Sequence, residues 1–491
     1  MAETGPQGVK YEKVGNEYFE KRKLRRYAGV FSLWALGVGA VISGHFSGWN
    51  FGLGFGWGSM FAATIIITIM YLGLTYSLAE MSPALPHTGG AYSFARSAMG
   101  PWGGFVTGVA ENIEYVLTPA VVVFFIGSYM GAIMETGPEV QPLYWILGYA
   151  IFVGANLFGV ELSFRVTTFV TLLALACLVF FYIAALPNID FVKNALNIGV
   201  GADGSLVKLE EGGGPWFPQG IHGVLAALPF EQLPLAAEES HDPRKDMPRG
   251  IMLGFFTLVA SAFLVLTLNS SLAPGAWGLK TSGEPLLDGL RTLFGTDIAK
   301  ILALVAITGL VASFHAIIFA YGRQIYSLSR AGYFPRFLSV THGTHHTPQL
   351  ALIAGTVMGL GVMLAIWYIY GQDKGGAFIG AALLNMAVFG AMISYVMQAV
   401  SFILLRIDMP HIERPYKSPF GIVGALATLA IAIVTIAFQV TDPAFRDPVL
   451  LVAAYYVLTI IYFAIFGRTK LVLSPEEEFA ISKGKAEYKA H

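Results

Sequence analysis

Glu111 and Glu114 stand three residues apart inside one long apolar run, and Glu231 stands between Pro229 and Pro234 in another. On insertion scales a carboxylate in a bilayer interior costs on the order of 2.5–3.5 kcal/mol, so a chain that keeps three of them uses them or compensates them. Counting from Pro101 at ~1.5 Å per residue places Glu111 and Glu114 roughly 15 and 20 Å into a core about 30 Å thick. Positions i and i+3 share a helix face, and two carboxylates held close cannot both ionise cheaply. One of the two is therefore expected to hold a proton and to carry it. The reading rests on finding no arginine or lysine at matching depth in any apolar run.

The first apolar run carries a different set of polar groups, Ser43, Gly44, His45, Phe46, Ser47, Gly48, Trp49 and Asn50. Each glycine costs a helix about 1 kcal/mol relative to alanine, and serine competes for the backbone hydrogen bonds. The helix is expected to break between Ser43 and Gly48. Broken backbone at membrane depth survives only where protein buries it or where it lines a cavity. Close helix packing would explain the glycines, but it has no need of His45 or Asn50. In the sixth run, Pro229 and Pro234 each remove a helical hydrogen bond at about 3 kcal/mol, so the chain should unwind around Phe230 and Glu231.

The elements that hold these groups follow from composition. Of 491 residues, 55% are hydrophobic and only 12% charged, with a mean hydropathy of +0.63. That composition belongs to an all-α polytopic membrane protein, not to a soluble domain of roughly 25% charged residues. Twelve apolar windows are expected near 28–55, 58–81, 103–134, 143–160, 166–187, 219–239, 250–272, 298–330, 349–370, 376–405, 421–440 and 448–467. The polar first 26 residues show no cleavable signal, and their basic cluster Lys21 to Arg26 predicts a cytoplasmic amino terminus. Counting Arg96, Arg165 and the cations at 323–336 as loop residues puts most Lys and Arg on that same side, with both termini cytoplasmic. Lone Cys177 excludes an intrachain disulfide. No phosphate loop, dinucleotide turn or metal cluster is present in the sequence pattern, so no cofactor, metal or enzyme activity is expected, and nothing suggests nucleic acid.

Interrupted runs at positions one and six are what two five-helix halves of opposite topology would place around a central site. The organisation expected is a tail at 1–26, a ten-helix transport core at 27–405, two further helices at 406–467 and a tail at 468–491. The last two spans carry few polar groups and suit a periphery or a homo-oligomer contact. Ser313 and His315 in the eighth span are further polar candidates, the histidine more readily a packing residue.

Several ordered motifs carry a resemblance to the amino acid–polyamine–organocation transporters over nearly all of residues 25–470. They are the first-span break, Glu80 with Pro86 and Gly89-Gly90-Ala91-Tyr92, Asp242-Pro243-Arg244-Lys245-Asp246-Met247-Pro248-Arg249, and Gly322-Arg323 through Gly332-Tyr333-Phe334-Pro335. Within that group, Val41-Ile42-Ser43-Gly44 followed by Gly48-Trp49-Asn50-Phe51-Gly52-Leu53 resembles bacterial ethanolamine permeases, though His45 stands where those carry an acid. The resemblance implies a five-plus-five core, alternating access in a bacterial inner membrane, and an acidic residue, here Glu231, for a cationic substrate. An ammonium would be met by Glu231, by carbonyls freed from Ser43 to Gly48, and by the faces of Phe46, Trp49, Tyr115 or Phe230, with Glu111 and Ser313 nearby. Coupling is assigned to protons through Glu111, Glu114, Glu231, His45 and His315, with sodium as the other candidate. The competing readings are an amino acid permease or exchanger, and a nutrient sensor that does not transport.

Overall fold

The computed structural model describes residues 2–22, 30–85, 90–158, 160–230, 246–370, 375–443 and 446–485. Ten helices in it are long and apolar enough to cross a membrane, and two shorter apolar ones lie at Val30–Val41 and Gly220–Phe230. In chain order the two short helices are first and sixth, so the twelve expected spans are all found and the interruptions fall where the sequence put them.

We name the apolar helices α1 (Val30–Val41), α2 (Trp57–Ala84), α3 (Gly90–Met134), α4 (Gln141–Leu157), α5 (Val160–Ala185) and α6 (Gly220–Ala227). The second six are α7 (Asp246–Ser270), α8 (Thr296–Arg330), α9 (Gln349–Tyr370), α10 (Gly375–Asp408), α11 (Gly421–Thr441) and α12 (Arg446–Ile465). The central column is α3, packed mainly on α10 and α8. Its most apolar window is 72% buried, against 22% for α11 and α12, so those last two helices are peripheral. The chain is thus a multi-pass all-α membrane protein.

The connection ahead of α3 was expected to be rich in turns. From Gly90 onward it is instead helical, and the interruption comes later, at Gly100 with φ 77. Pro101 follows, where its missing N–H costs nothing because a new helix starts there. Residues 86–89 of that motif, and 231–245 of the charged turn, lie outside the described residues.

Two arginines read as loop cations are in fact interior. Arg96, in the first turns of α3, is 2% exposed and pairs with Glu477 at 3.1 Å. Arg323 is 4% exposed because α8 stays helical to Arg330, and its guanidinium lies over the Phe319 ring at 3.5 Å. A cation therefore does sit inside a span, which the sequence reading had not found. Glu80, at the same end of the molecule, accepts from Arg406 at 2.6 Å, from Arg414 at 3.2 Å and from the Ser418 N–H at 2.7 Å. It joins α2 to the α10–α11 turn as a structural anchor.

Both tails fold on that end together. Strand β1 (Ala2–Thr4) pairs antiparallel with β2 (Lys10–Glu12), strands β3 (Ile198–Val200) and β4 (Leu206–Lys208) form a separate hairpin, and β5 (Leu471–Val472) adds parallel to β2. The short Pro475–Ile481 helix then brings Glu477 to Arg96, with the Tyr11 hydroxyl donating to the same carboxylate at 2.9 Å. We call this the terminal face. At ~1.5 Å per residue the 35 residues of α8 reach to the other face, where the Gly275–Leu279 and Pro285–Phe294 helices lie.

Candidate functional site

The backbone leaves helical geometry after α1 as expected. Ser43–Phe46 makes one isolated turn, Ser47 is extended, and Gly48 takes φ 99, a conformation that favours glycine. A short 3-10 stretch, Trp49–Phe55, leads on to α2. Close packing and a break coexist here. A Cβ on Gly39 would come within 2.5 Å of Thr171 Oγ1, and one on Gly309 would strike the Phe46 ring at 2.1 Å.

Each polar group freed by the break finds a partner from another element. Ser313 on α8 accepts from the Ser43 N–H at 2.9 Å and donates its own hydrogen to the Gly39 carbonyl at 2.7 Å, so one hydroxyl serves both sides of the turn. Tyr129 on α3 donates to the Phe46 carbonyl at 2.9 Å. Ser47 Oγ lies 2.8 Å from the Phe46 carbonyl and 3.1 Å from that of Gly283. Asn50 accepts from the Gly48 N–H at 3.0 Å and donates to the Leu279 and Ser282 carbonyls at 2.6 and 2.9 Å. Asn50, Tyr129 and the 275–294 segment are thus parts of the site that the expected set had left out. Tyr129 and the segment carry no sequence signal for this role, since backbone carbonyls are their partners or their contribution.

Ser313→Ala is expected to cost stability by leaving the Ser43 N–H and the Gly39 carbonyl buried without partners, at about 1–3 kcal/mol for each such group. Thermal unfolding of the purified protein checks this, with Ser313→Thr, which keeps the hydroxyl, close to the parent. An unchanged unfolding curve for the alanine variant would remove Ser313 as the bridge.

The breaks of the first and sixth helices meet through aromatic rings. After α6, Leu228–Phe230 tightens to 3-10 geometry, and the Phe230 ring lies 6.4 Å from Phe51 and 6.1 Å from Phe55, centroid to centroid. Glu231, the next residue, falls outside the described residues. A small cavity at this junction is lined by Gly44, His45, Trp49 and Phe230, with Ala262, Val265 and Leu266 from α7. Its wall is apolar apart from two residues. His45 Nε2 is 3.1 Å from the Leu258 carbonyl, which can only accept, so Nε2 carries the hydrogen of the neutral ring. His45 Nδ1 is then an acceptor, and both it and the Trp49 indole N–H are buried with no hydrogen-bond partner.

The other predicted carboxylates lie elsewhere. Glu111 accepts from Gln324 on α8 at 2.6 Å, and Gln324 is 11 residues, about 16 Å of helical rise, beyond Ser313 towards the terminal face. Glu114 accepts from the Tyr395 hydroxyl on α10 at 3.0 Å. On α3 the break is instead level with Phe125, which flanks Gly48 and Phe51, and with Tyr129. The expectation of Glu111 beside the substrate is corrected accordingly, and so is that of a joined Glu111–Glu114 pair, since the two bind different helices. Half-buried Tyr115 belongs to the same level of α3. His315 turns to α4, where its Nδ1 meets Asn156 Nδ2 at 3.0 Å. It is a packing residue, away from the cavity.

The sequence profile of the amino acid permease family matches residues 36–487. Among curated relatives, a transporter of Rhizobium meliloti strain 1021 is 25% identical over 82% of this chain and 84% of its own length. The branched-chain amino acid permease BcaP of Bacillus subtilis is 24% identical, over 81% of this chain and 85% of its own. The methylthioribose transporter of the same species is 23% identical, over 82% and 86%.

Proposed function

Because this chain belongs to the amino acid permease family, we propose that it imports a small organic amine, ethanolamine, across a bacterial inner membrane by alternating access. Relatives at this distance are named for solutes as unlike as branched-chain amino acids and methylthioribose, so the substrate has to be argued from the site. The observation that carries the reading is the cavity between the two breaks, with one unpartnered acceptor, His45 Nδ1, and one unpartnered donor, the Trp49 N–H. A hydroxyl satisfies both at once, since it donates and accepts. The aromatic faces of Trp49 and Phe230 suit an ammonium, and Glu231 follows Phe230 in the chain. No lysine or arginine lines the cavity to receive a carboxylate.

Coupling to protons is part of the proposal. Glu111 and Glu114 lie between the break and the terminal face, each held by a neutral hydrogen-bond donor, a placement that suits a proton leaving the central cavity towards the cytoplasm. The tails and the terminal face are placed in the cytoplasm on the basic residues of the amino-terminal tail.

A second reading, an amino acid permease, gains support from one observation. With Glu111 and Glu114 displaced along α3, they no longer repel a carboxylate bound at the break. Uptake of labelled ethanolamine into vesicles, competed by ethanolamine, choline, putrescine, alanine and leucine at two pH values with and without sodium, separates the readings. Displacement by ethanolamine and not by leucine or alanine, driven by a proton gradient without sodium, is the expected result. Equal displacement by the amino acids, or no accumulation at all, overturns the amine assignment.

A further inference from the structure

The segment 275–294 covers the first-helix break on the face opposite the tails, and it carries a charge arrangement unlike any other on that face. The Ser282 and Gly283 carbonyls receive the hydrogen bonds of Asn50 and Ser47, and the next residue is Glu284. Its carboxylate shares the Arg291 guanidinium, at 3.6 Å, with Asp288, at 2.7 Å. Asp288 also accepts from the Ser282 hydroxyl, which in turn accepts from the Glu284 N–H. The side chains of Glu284 and Asp288 are only 23% and 19% exposed. Two acids thus face one cation in a site mostly shielded from water.

We propose that this segment is a proton-operated outer latch. With a proton on Glu284 the cluster is neutral and the segment stays seated on Asn50 and Ser47. With both acids ionised one negative charge is left over, and lifting the segment into water relieves it while releasing the first-helix break. The groups that act on Glu284 are Asp288 and Arg291 from its own helix, and Tyr129 from α3, whose hydroxyl lies within electrostatic reach. From α7 the contact on this helix is the uncharged Asn269, which donates to the Pro285 carbonyl at 3.0 Å, and from α5 it is Phe181 against Gly289.

Burial first, and then Asp288, push the Glu284 carboxyl up to about 7, with Arg291 pulling the other way. A lifted segment would return the group towards the ordinary carboxylate range near 4.3. The seated form therefore binds the proton more tightly. Seating is favoured in acid and lost as pH rises through about 7, so closure of the outer face takes up a proton from outside.

The test needs no substrate, so it stands whatever the solute proves to be. Spin labels on Thr281→Cys, which is exposed on the segment, and Glu139→Cys, exposed at the α3–α4 turn, are introduced with Cys177→Ser in the full chain in lipid nanodiscs. The interlabel distance is measured by pulsed electron resonance at about pH 5.5 and about pH 8.5, either side of the expected midpoint. A short distance in acid that lengthens in base is expected, with Glu284→Gln short at both values. Asp288→Asn should also stay short at both, because Arg291 then balances the one remaining acid. The same distance at both pH values in the parent, or a Glu284→Gln protein that responds as the parent does, overturns the latch.

Discussion

Glu231→Gln is expected to reduce uptake of labelled ethanolamine to background. Glutamine keeps the size and hydrogen-bonding reach of the side chain and removes only its charge, so a loss reports electrostatics. Removing one partner of a desolvated charge pair costs on the order of 2–5 kcal/mol, which at 1.4 kcal/mol per tenfold is roughly 30- to 4,000-fold in affinity. The case for the residue is its neighbour. Phe230 stands where the two interrupted helices touch and lines the cavity with His45 and Trp49. Uptake with Glu231→Asp, which restores the charge on a shorter arm, should recover in part. Unchanged uptake in the glutamine variant would remove Glu231 from the site, and loss confined to uptake with normal thermal unfolding would separate recognition from folding.

Glu477→Ala is expected to destabilise the protein by about 3–5 kcal/mol, the usual cost of stripping a buried charge of its counter-ion. Arg96 is 2% exposed and Glu477 1%, so water cannot replace the missing carboxylate. The Tyr11 hydroxyl loses its acceptor in the same step. Chemical or thermal unfolding of the purified protein measures the effect, and the double variant Arg96→Met with Glu477→Ala should recover part of it because no orphan charge remains. A single variant as stable as the parent would show that the tails are not held by this pair.

The breaks were legible because they are written in local chemistry. Gly44, Ser47 and Gly48 disfavour helix at any position, and Pro229 does so through its missing N–H, so no tertiary knowledge was needed. The level of Glu111 and Glu114 was misjudged for a geometric reason. Depth counted along α3 is not depth along α1, since α3 runs 45 residues from the terminal face and the break meets it only near Phe125. Arg323 was misread because the charges around 323–336 suggested a loop, whereas the helix continues to Arg330 and draws the arginine inside. Arg96 was hidden differently. Its partner lies 381 residues away, and nothing local marks such a pairing. The 275–294 segment was missed altogether, because what it offers the break is main-chain carbonyl oxygen, which every residue has.

The mixed sheet at the tails sets an order of events during synthesis. Residues 10–12 leave the ribosome almost first, yet their parallel neighbour, Leu471–Val472, is among the last made. Until then Tyr11 has no acceptor and Arg96 no counter-ion, with eleven helices already threaded into lipid. Completion of the chain is thus sensed at its beginning, and a product stopped short of residue 471 would display an unneutralised arginine to the quality-control proteases of the cell.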